Sequence, residues 1–184
     1  MFQKIETELP GVFVLKPKIF HDPRGSFWET YHEEKFADLG IAAKFVQDNH
    51  SRSIHGTLRG LHYQWRRPQA KLCRVIEGEV FDVAVDIRRG APTFGKWVGV
   101  TLSAEEGNEM FIPSGFAHGF VVLSETAQFL YKCSDFYDPT GEGGVVWNDP
   151  DLCIAWPIKQ PLLSEKDSRY SKLRDVGADH LPGY

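Results

Sequence analysis

From Val12 onward the chain carries short apolar and aromatic runs broken by glycine, proline and charged turns, and few stretches hold a helical period. Val12 to Phe20 reads as extended and ends at the turn signal His21-Asp22-Pro23-Arg24-Gly25. Phe27 to Tyr31 is short and aromatic, as a strand would be. Thr30-x-x-Glu33 has the pattern of a capping box, Phe36 and Leu39 share a helical face, and Gly40 follows as a C-cap. One short helix is expected there, and Lys44 to Asn49 then resumes extended structure. Lys71 to Ile76 and Val80 to Asp86 read as strands joined in a hairpin at Glu77-Gly78-Glu79. Trp97 to Leu102, Glu109 to Ile112, Gly119 to Leu123 and Gln128 to Cys133 follow as strands. Gly or Pro turns return about every 8–12 residues, the spacing of a sandwich or barrel. No βαβ rhythm, repeat or linker interrupts it. Ser164-Glu165-Lys166-Asp167 starts a short helix, and residues beyond Asp175 are expected as a loose tail. The pattern predicts an all-β protein: one antiparallel β-barrel or jelly roll with a few short peripheral helices.

Composition narrows the class. At 184 residues, 42% of them hydrophobic, the chain fits a single domain over 1–184, with about 176–184 as its tail. A net charge of -4 gives no footprint for nucleic acid or an anionic membrane. No basic and apolar leader stands at the N-terminus, and no apolar run approaches about 20 residues. A soluble cytoplasmic protein is expected. Cys73, Cys133 and Cys153 are far apart, odd in number and without a CxxC, and all three are expected as reduced core residues.

Candidate chemistry gathers on the strands. Leu58-Arg59-Gly60-Leu61-His62-Tyr63-Gln64 and the Lys71 that follows place a base and a cation on extended sequence, whose side chains alternate between faces. Inside a closed sheet such a pair suits proton abstraction next to a carbonyl. In Val80 to Asp86 the odd positions are apolar, and Asp82 and Asp86 share the other face. Taken singly, each carboxylate reads as solvent-facing; charged residues on several neighbouring strands favour one shared interior. Gly107-x5-Pro113-x-Gly115-x-x-His118 resembles the second motif of the cupin superfamily. The first cupin motif supplies His-x-His, and here Tyr63 and Gln64 follow His62, so only His62 and His118 are available to a metal, fewer than a metal needs. His118 reads either as a satisfied core histidine or as a hydrogen-bond partner of a ligand or of Asp82.

Seven stretches fall in the order of one family. They are Asp22-Pro23-Arg24-Gly25-x-Phe27-x-Glu29, Val46-Gln47-Asp48-Asn49, the Leu58–Gln64 run, Phe81-Asp82-Val83-x-Val85-Asp86, Pro113-x-Gly115-x-Ala117-His118-Gly119-Phe120, Tyr131-Lys132-Cys133 and Leu163-Ser164-Glu165-Lys166-Asp167. From Phe2 to about Asp175 the chain resembles the dTDP-4-dehydrorhamnose 3,5-epimerase family, which is similar to cupins in fold but works without metal. The resemblance implies a cupin-type fold, no cofactor, and a nucleotide-linked 4-keto-6-deoxyhexose as substrate. It implies His62 as base, paired with Asp167, although Ser164-x-x-Asp167 also reads as a helix cap. Lys71 matches the lysine beside the sugar ketone, and Tyr131 the proton donor to the opposite face, with Tyr137 close by as the alternative. Arg24, Arg59 and Lys166 match diphosphate or sugar contacts, and Gln47, Asp48, Asn49, His118 and Glu142 match substrate contacts. Glu29 matches the carboxylate that recognises thymine, with Phe27 or Trp28 near enough to stack on the base. The family is a homodimer in which this N-terminal segment serves the partner's site. Inversion at both C3 and C5 or at one of them, a metal-dependent cupin and a sugar-binding cupin remain separate readings at this point.

Overall fold

Runs rich in Val, Phe and Ile between Gly and Pro turns form thirteen strands in the computed structural model, which describes residues 2–184. They are β1 (Phe2–Glu6), β2 (Phe13–Pro17), β3 (Phe20–Asp22), β4 (Gly25–Phe27), β5 (Gln47–Ile54), β6 (Leu58–Gln64), β7 (Lys71–Glu77), β8 (Glu79–Asp86), β9 (Trp97–Ser103), β10 (Glu109–Ile112), β11 (Phe116–Val122), β12 (Thr126–Cys133) and β13 (Glu142–Gly144). A six-stranded sheet runs β1-β2-β10-β7-β12-β5, and a five-stranded sheet runs β13-β6-β11-β8-β9. All pairings between these strands are antiparallel, and the fold is jelly-roll-like. Among the described residues no helix is long and apolar enough to cross a membrane.

Both sheets are covered on both faces. Between them lie Cys73, Val75, Ala84, Met110, Phe120 and Phe129. The outer face of the five-stranded sheet buries Leu61, Tyr63, Val83 and Val85 under Val145, Leu152, Leu173 and Leu181. The outer face of the six-stranded sheet buries Phe13, Leu15 and Phe111 under Phe36 and Ile41. Phe36 belongs to the short helix α1 (Glu33–Asp38), too brief to persist alone. Edge-to-face packing of Phe36 on Phe2 at 4.9 Å and Tyr31 at 5.0 Å holds it, a burial worth roughly 1.5–3 kcal/mol.

Several expectations are corrected. The Glu77-Gly78-Glu79 turn is not a hairpin: β7 lies in the six-stranded sheet and β8 in the five-stranded one, so the turn carries the chain across the core. Trp28 to Tyr31 is not strand, because Tyr31 turns inward onto Phe36 and Phe45. The helix is capped by His32 rather than Thr30. Asp82 and Asp86 are fully buried, as the shared-interior reading expects and against the solvent-facing reading of each alone: the apolar odd positions of β8 face outward under the C-terminal segment, which leaves the even positions looking between the sheets. The tail past Asp175 is docked, with Leu181 buried and the Arg89 amide donating to the Pro182 carbonyl at 2.8 Å. Cys153 is exposed, unlike the buried Cys73 and Cys133; all three thiols are free.

One buried carboxyl group has no hydrogen-bond partner among the described residues. Glu109 on β10 is fully buried on the outer face of the six-stranded sheet, beside Arg74 across the ladder, and neither carboxyl oxygen is hydrogen-bonded. Burial pushes its pKa up to about 8 against the opposing charges of Arg74 and Lys132. The folded state therefore holds a proton that the unfolded chain releases from the ordinary carboxyl range upward. Stability from this site is present at acid pH and is lost as pH rises to about 8, at up to about 1.4 kcal/mol per pH unit. Glu109→Gln is expected to flatten that decline in denaturant titrations between pH 5 and pH 8. An unchanged pH slope in the variant would refute a buried protonated carboxyl.

Candidate active site

The polar residues between the sheets meet where β6 and β11 pair. His62 and His118 are direct cross-strand partners, and the β11 register shifts between His118 and Phe120. Gly60 and Gly119 make this approach possible. Gly60 has φ +130°, and a Cβ there would fall 2.5 Å from the Gly119 Cα.

His62 Nε2 donates to Asp167 Oδ1 at 2.6 Å. Asp167 opens the 3₁₀ turn Asp167–Arg169 and is buried, and its own amide donates to Ser164 Oγ at 3.1 Å. The carboxylate thus serves His62 rather than completing a helix cap, and only the serine half of the capping pattern forms. Burial alone would raise the Asp167 pKa, but the His62 hydrogen bond and charge, with Ser164 and Lys166, hold it below the usual carboxylate range. An ionised carboxylate only accepts, so the proton of the neutral imidazole sits on Nε2 and the lone pair on Nδ1.

His118 Nε2 donates to Asp82 Oδ1 at 2.6 Å, and Lys71 Nζ lies 3.5 Å from His118 Nδ1. Burial pushes the His118 pKa down, and the Lys71 charge acts with it against the pull of Asp82. Its imidazole is held neutral as a result, presenting its Nδ1 lone pair to the lysine. Tyr131 completes the group, its ring 6.3 Å from that of His118 and 5.7 Å from Lys71 Nζ. Burial raises the Tyr131 phenol to about 12, with the nearby Arg59 charge opposing and Glu142 reinforcing the shift.

A rim surrounds this group. Tyr137 donates from its hydroxyl to Glu142 at 3.0 Å, and Lys166 donates to the same carboxylate at 2.6 Å. Gln47 accepts from the Tyr137 amide at 2.9 Å and donates to Asn49 at 3.1 Å, while Arg59 donates to Ser53 at 3.0 Å. Asp48 is not with its neighbours: strand alternation turns it to the opposite face, onto Lys132 at 2.9 Å. Arg24 and Glu29 also take other partners. Arg24 pairs with Asp22 at 2.6 Å on the β3–β4 hairpin, and Glu29 accepts from Lys35 at 2.8 Å. Trp28 packs against Gly107, whereas the Phe27 ring is 73% exposed.

Two neighbours escaped the sequence reading. Tyr170 packs edge-on to His62 at 5.8 Å; an aromatic three residues after Asp167, directly following the same short turn, was its only signal. Cys73 lies 3.7 Å from His118 Nε2, so Cys73, Asp82 and His118 form a compact N, O, S group. The Lys71 ammonium beside it and a thiol pKa raised well above its ordinary value by burial do not fit a cation there.

The jelly roll thus encloses two histidines, a lysine and a tyrosine, with a buried carboxylate on each imidazole. Residues 6–175 match the family model described as dTDP-4-dehydrorhamnose 3,5-epimerase. The enzyme of that name from Pseudomonas aeruginosa is 57% identical over 95% of this chain and 96% of its own. A dTDP-4-dehydrorhamnose 3-epimerase from Streptomyces niveus is 39% identical over 96% and 86%. The crystal structure of dTDP-6-deoxy-D-glucose-3,5-epimerase from Legionella pneumophila, in complex with dTDP-4-keto-L-rhamnose, superposes with a TM-score of 0.98 at 49% identity, covering 100% of this chain and 99% of that one. The chain belongs to the dTDP-4-dehydrorhamnose 3,5-epimerase family, isomerases that act on nucleotide sugars.

A phenol shifted to about 12 stays protonated in mild alkali. Titrating tyrosine absorbance to pH 11 is expected to give Tyr131→Phe the same amplitude as the unaltered protein. Loss of one tyrosine's share would show that Tyr131 is wetter than its packing implies.

Proposed function

We propose that the chain inverts C3 and C5 of dTDP-4-dehydro-6-deoxy-D-glucose, giving dTDP-4-dehydro-L-rhamnose, with His62 as general base and Tyr131 as general acid. The observation that carries the reading is the row His62, His118, Lys71, Tyr131: a base with a free Nδ1 and a protonated phenol set apart by a neutral imidazole and an ammonium. The activities named for the Pseudomonas enzyme and the ligand named for the Legionella complex support it.

The chemistry follows from the groups. Protons on carbons flanking a ketone become acidic when the enolate oxygen is stabilised, and Lys71 supplies a positive charge with no ion pair among the described residues. His62 Nδ1 takes the proton while Asp167 steadies the imidazolium that forms. Return of that proton from His62 would restore the starting configuration, so inversion needs a donor on the other face, which is Tyr131. Glu142, Tyr137, Lys166 and Arg59 stand where the sugar and diphosphate would be held, with Gln47 and Asn49 beside them.

Thymine recognition is assigned to the β3–β4 hairpin of a second copy. This hairpin pairs only with itself, and Phe20 and Phe27 leave rings 53% and 73% exposed. Carried into a partner's site, it would bring Arg24 and Glu29 to the nucleotide, so the working unit is a homodimer. Three free thiols suit the cytoplasm.

Incubation with the ketosugar nucleotide in deuterated water tests the reaction. Deuterium is expected at both C3 and C5; label at one carbon assigns a mono-epimerase, and label at neither rejects the proposal. His62→Asn is expected to abolish exchange with dTDP affinity retained. Tyr131→Phe is expected to slow inversion about 10²–10⁴-fold while exchange from the His62 face continues.

A further inference from the structure

The His62–Asp167 pair is closed on one side by a single ring. Tyr170, half-buried, directly follows the turn that carries Asp167 and meets the His62 ring edge-on at 5.8 Å and 68°. It lies flat on Gly144, the cross-strand partner of His62: a Cβ at Gly144 would fall 2.3 Å from the Tyr170 ring. Beyond it, Gly144 and Tyr170 line an open surface groove with Tyr63 and His180. The ring therefore stands between the His62 imidazole and the open groove.

We infer that Tyr170 is a positioning residue for the base: its ring seals the His62–Asp167 hydrogen bond from water and fixes the tilt of the imidazole. The inference rests on the reading of His62 as the base. The aromatic ring is what matters, because it is the ring that packs on His62, while the hydroxyl interacts with Lys166. A carboxylate accepting from an imidazole in a dry setting stabilises the imidazolium more strongly than a hydrated one. An edge-on aromatic also blocks the rotation that would take Nδ1 off the substrate.

A resonance and a rate together test this. In the unliganded protein labelled with ¹⁵N-histidine, the shielded His62 Nε2–H is expected as a downfield proton signal, absent in Asp167→Asn. Tyr170→Phe is expected to keep the signal and to keep kcat within about threefold. Tyr170→Ala is expected to lose the signal to exchange with water and to lower kcat at least about tenfold, with KM for the nucleotide sugar within about threefold. Gly144→Ala, which displaces the ring without altering it, is expected to reproduce that loss and carries the test if Tyr170→Ala does not fold. A signal retained in Tyr170→Ala or Gly144→Ala, or a fall in Tyr170→Phe as deep as in Tyr170→Ala, overturns the inference. The resonance needs no substrate, so its failure is distinguishable from failure of the proposed reaction, which appears as absent inversion in the unaltered protein.

Discussion

The hydrogen bond from His62 to Asp167 joins positions 105 residues apart, and the C-terminal third of the chain is arranged so that it can form. A hydrogen bond to a charged group contributes roughly 1.5–3 kcal/mol, far too little to order fifty residues of irregular chain. Burial does that. After β13 pairs with β6, Val145, Leu152, Leu173 and Leu181 spread over the outer face of the five-stranded sheet. Each buried leucine is worth about 1.5–3 kcal/mol, so apolar contact anchors the segment and the hydrogen bond sets where the first of its three 3₁₀ turns, Asp167–Arg169, lands. Covering the sheet and delivering the carboxylate are one event.

The same cover explains which parts of the fold were legible in the sequence. Strand runs were, because Val80 to Asp86 or Gln128 to Cys133 alternate whatever they face. The sense of the alternation was not. In β8 the apolar positions look as though they must point at the core, yet they point away from the site, onto a surface that residues 145–181 close. Only a contact across sixty or more residues reveals that Asp82 is the inward side chain. Glu77-Gly78-Glu79 is a parallel case, since a tight turn with a central glycine suits a hairpin and a crossover between sheets equally. What distinguishes them is the partner of each strand, and pairing is not local information.

The site was legible as residue types in order, and less so as geometry. Gln47, Asp48 and Asn49 read as one segment, but period two separates the middle residue from its neighbours and gives it to Lys132. Arg24 and Glu29 belong to the motif without joining the cluster, which a hairpin held by no other strand explains. Tyr131 was favoured over the nearby Tyr137 only by the family match. The structure separates their environments: Tyr131 is packed beside Lys71 and His118, and Tyr137 stands at the rim on Glu142.

Five carboxyl groups are buried among the described residues; Asp149 accepts from the backbone amides of Asp151 and Leu173, and the way the other four are neutralised sets them apart. Asp86 accepts from Nε and Nη2 on one edge of the Arg88 guanidinium and from the Thr93 hydroxyl, donors that keep their protons, and it ties the end of β8 to the following loop. Glu109 has no donor and keeps its own proton. Asp82 and Asp167 instead each hold a histidine at 2.6 Å, and these two histidines are cross-strand neighbours. They are not equivalent. His118 is sealed in with a lysine on its second nitrogen, which keeps it neutral and makes it a fixed strut for Lys71. His62 has no partner on its second nitrogen among the described residues and a side chain 30% exposed, with a buried carboxylate on the other nitrogen, and on that difference its proposed role as the base rests.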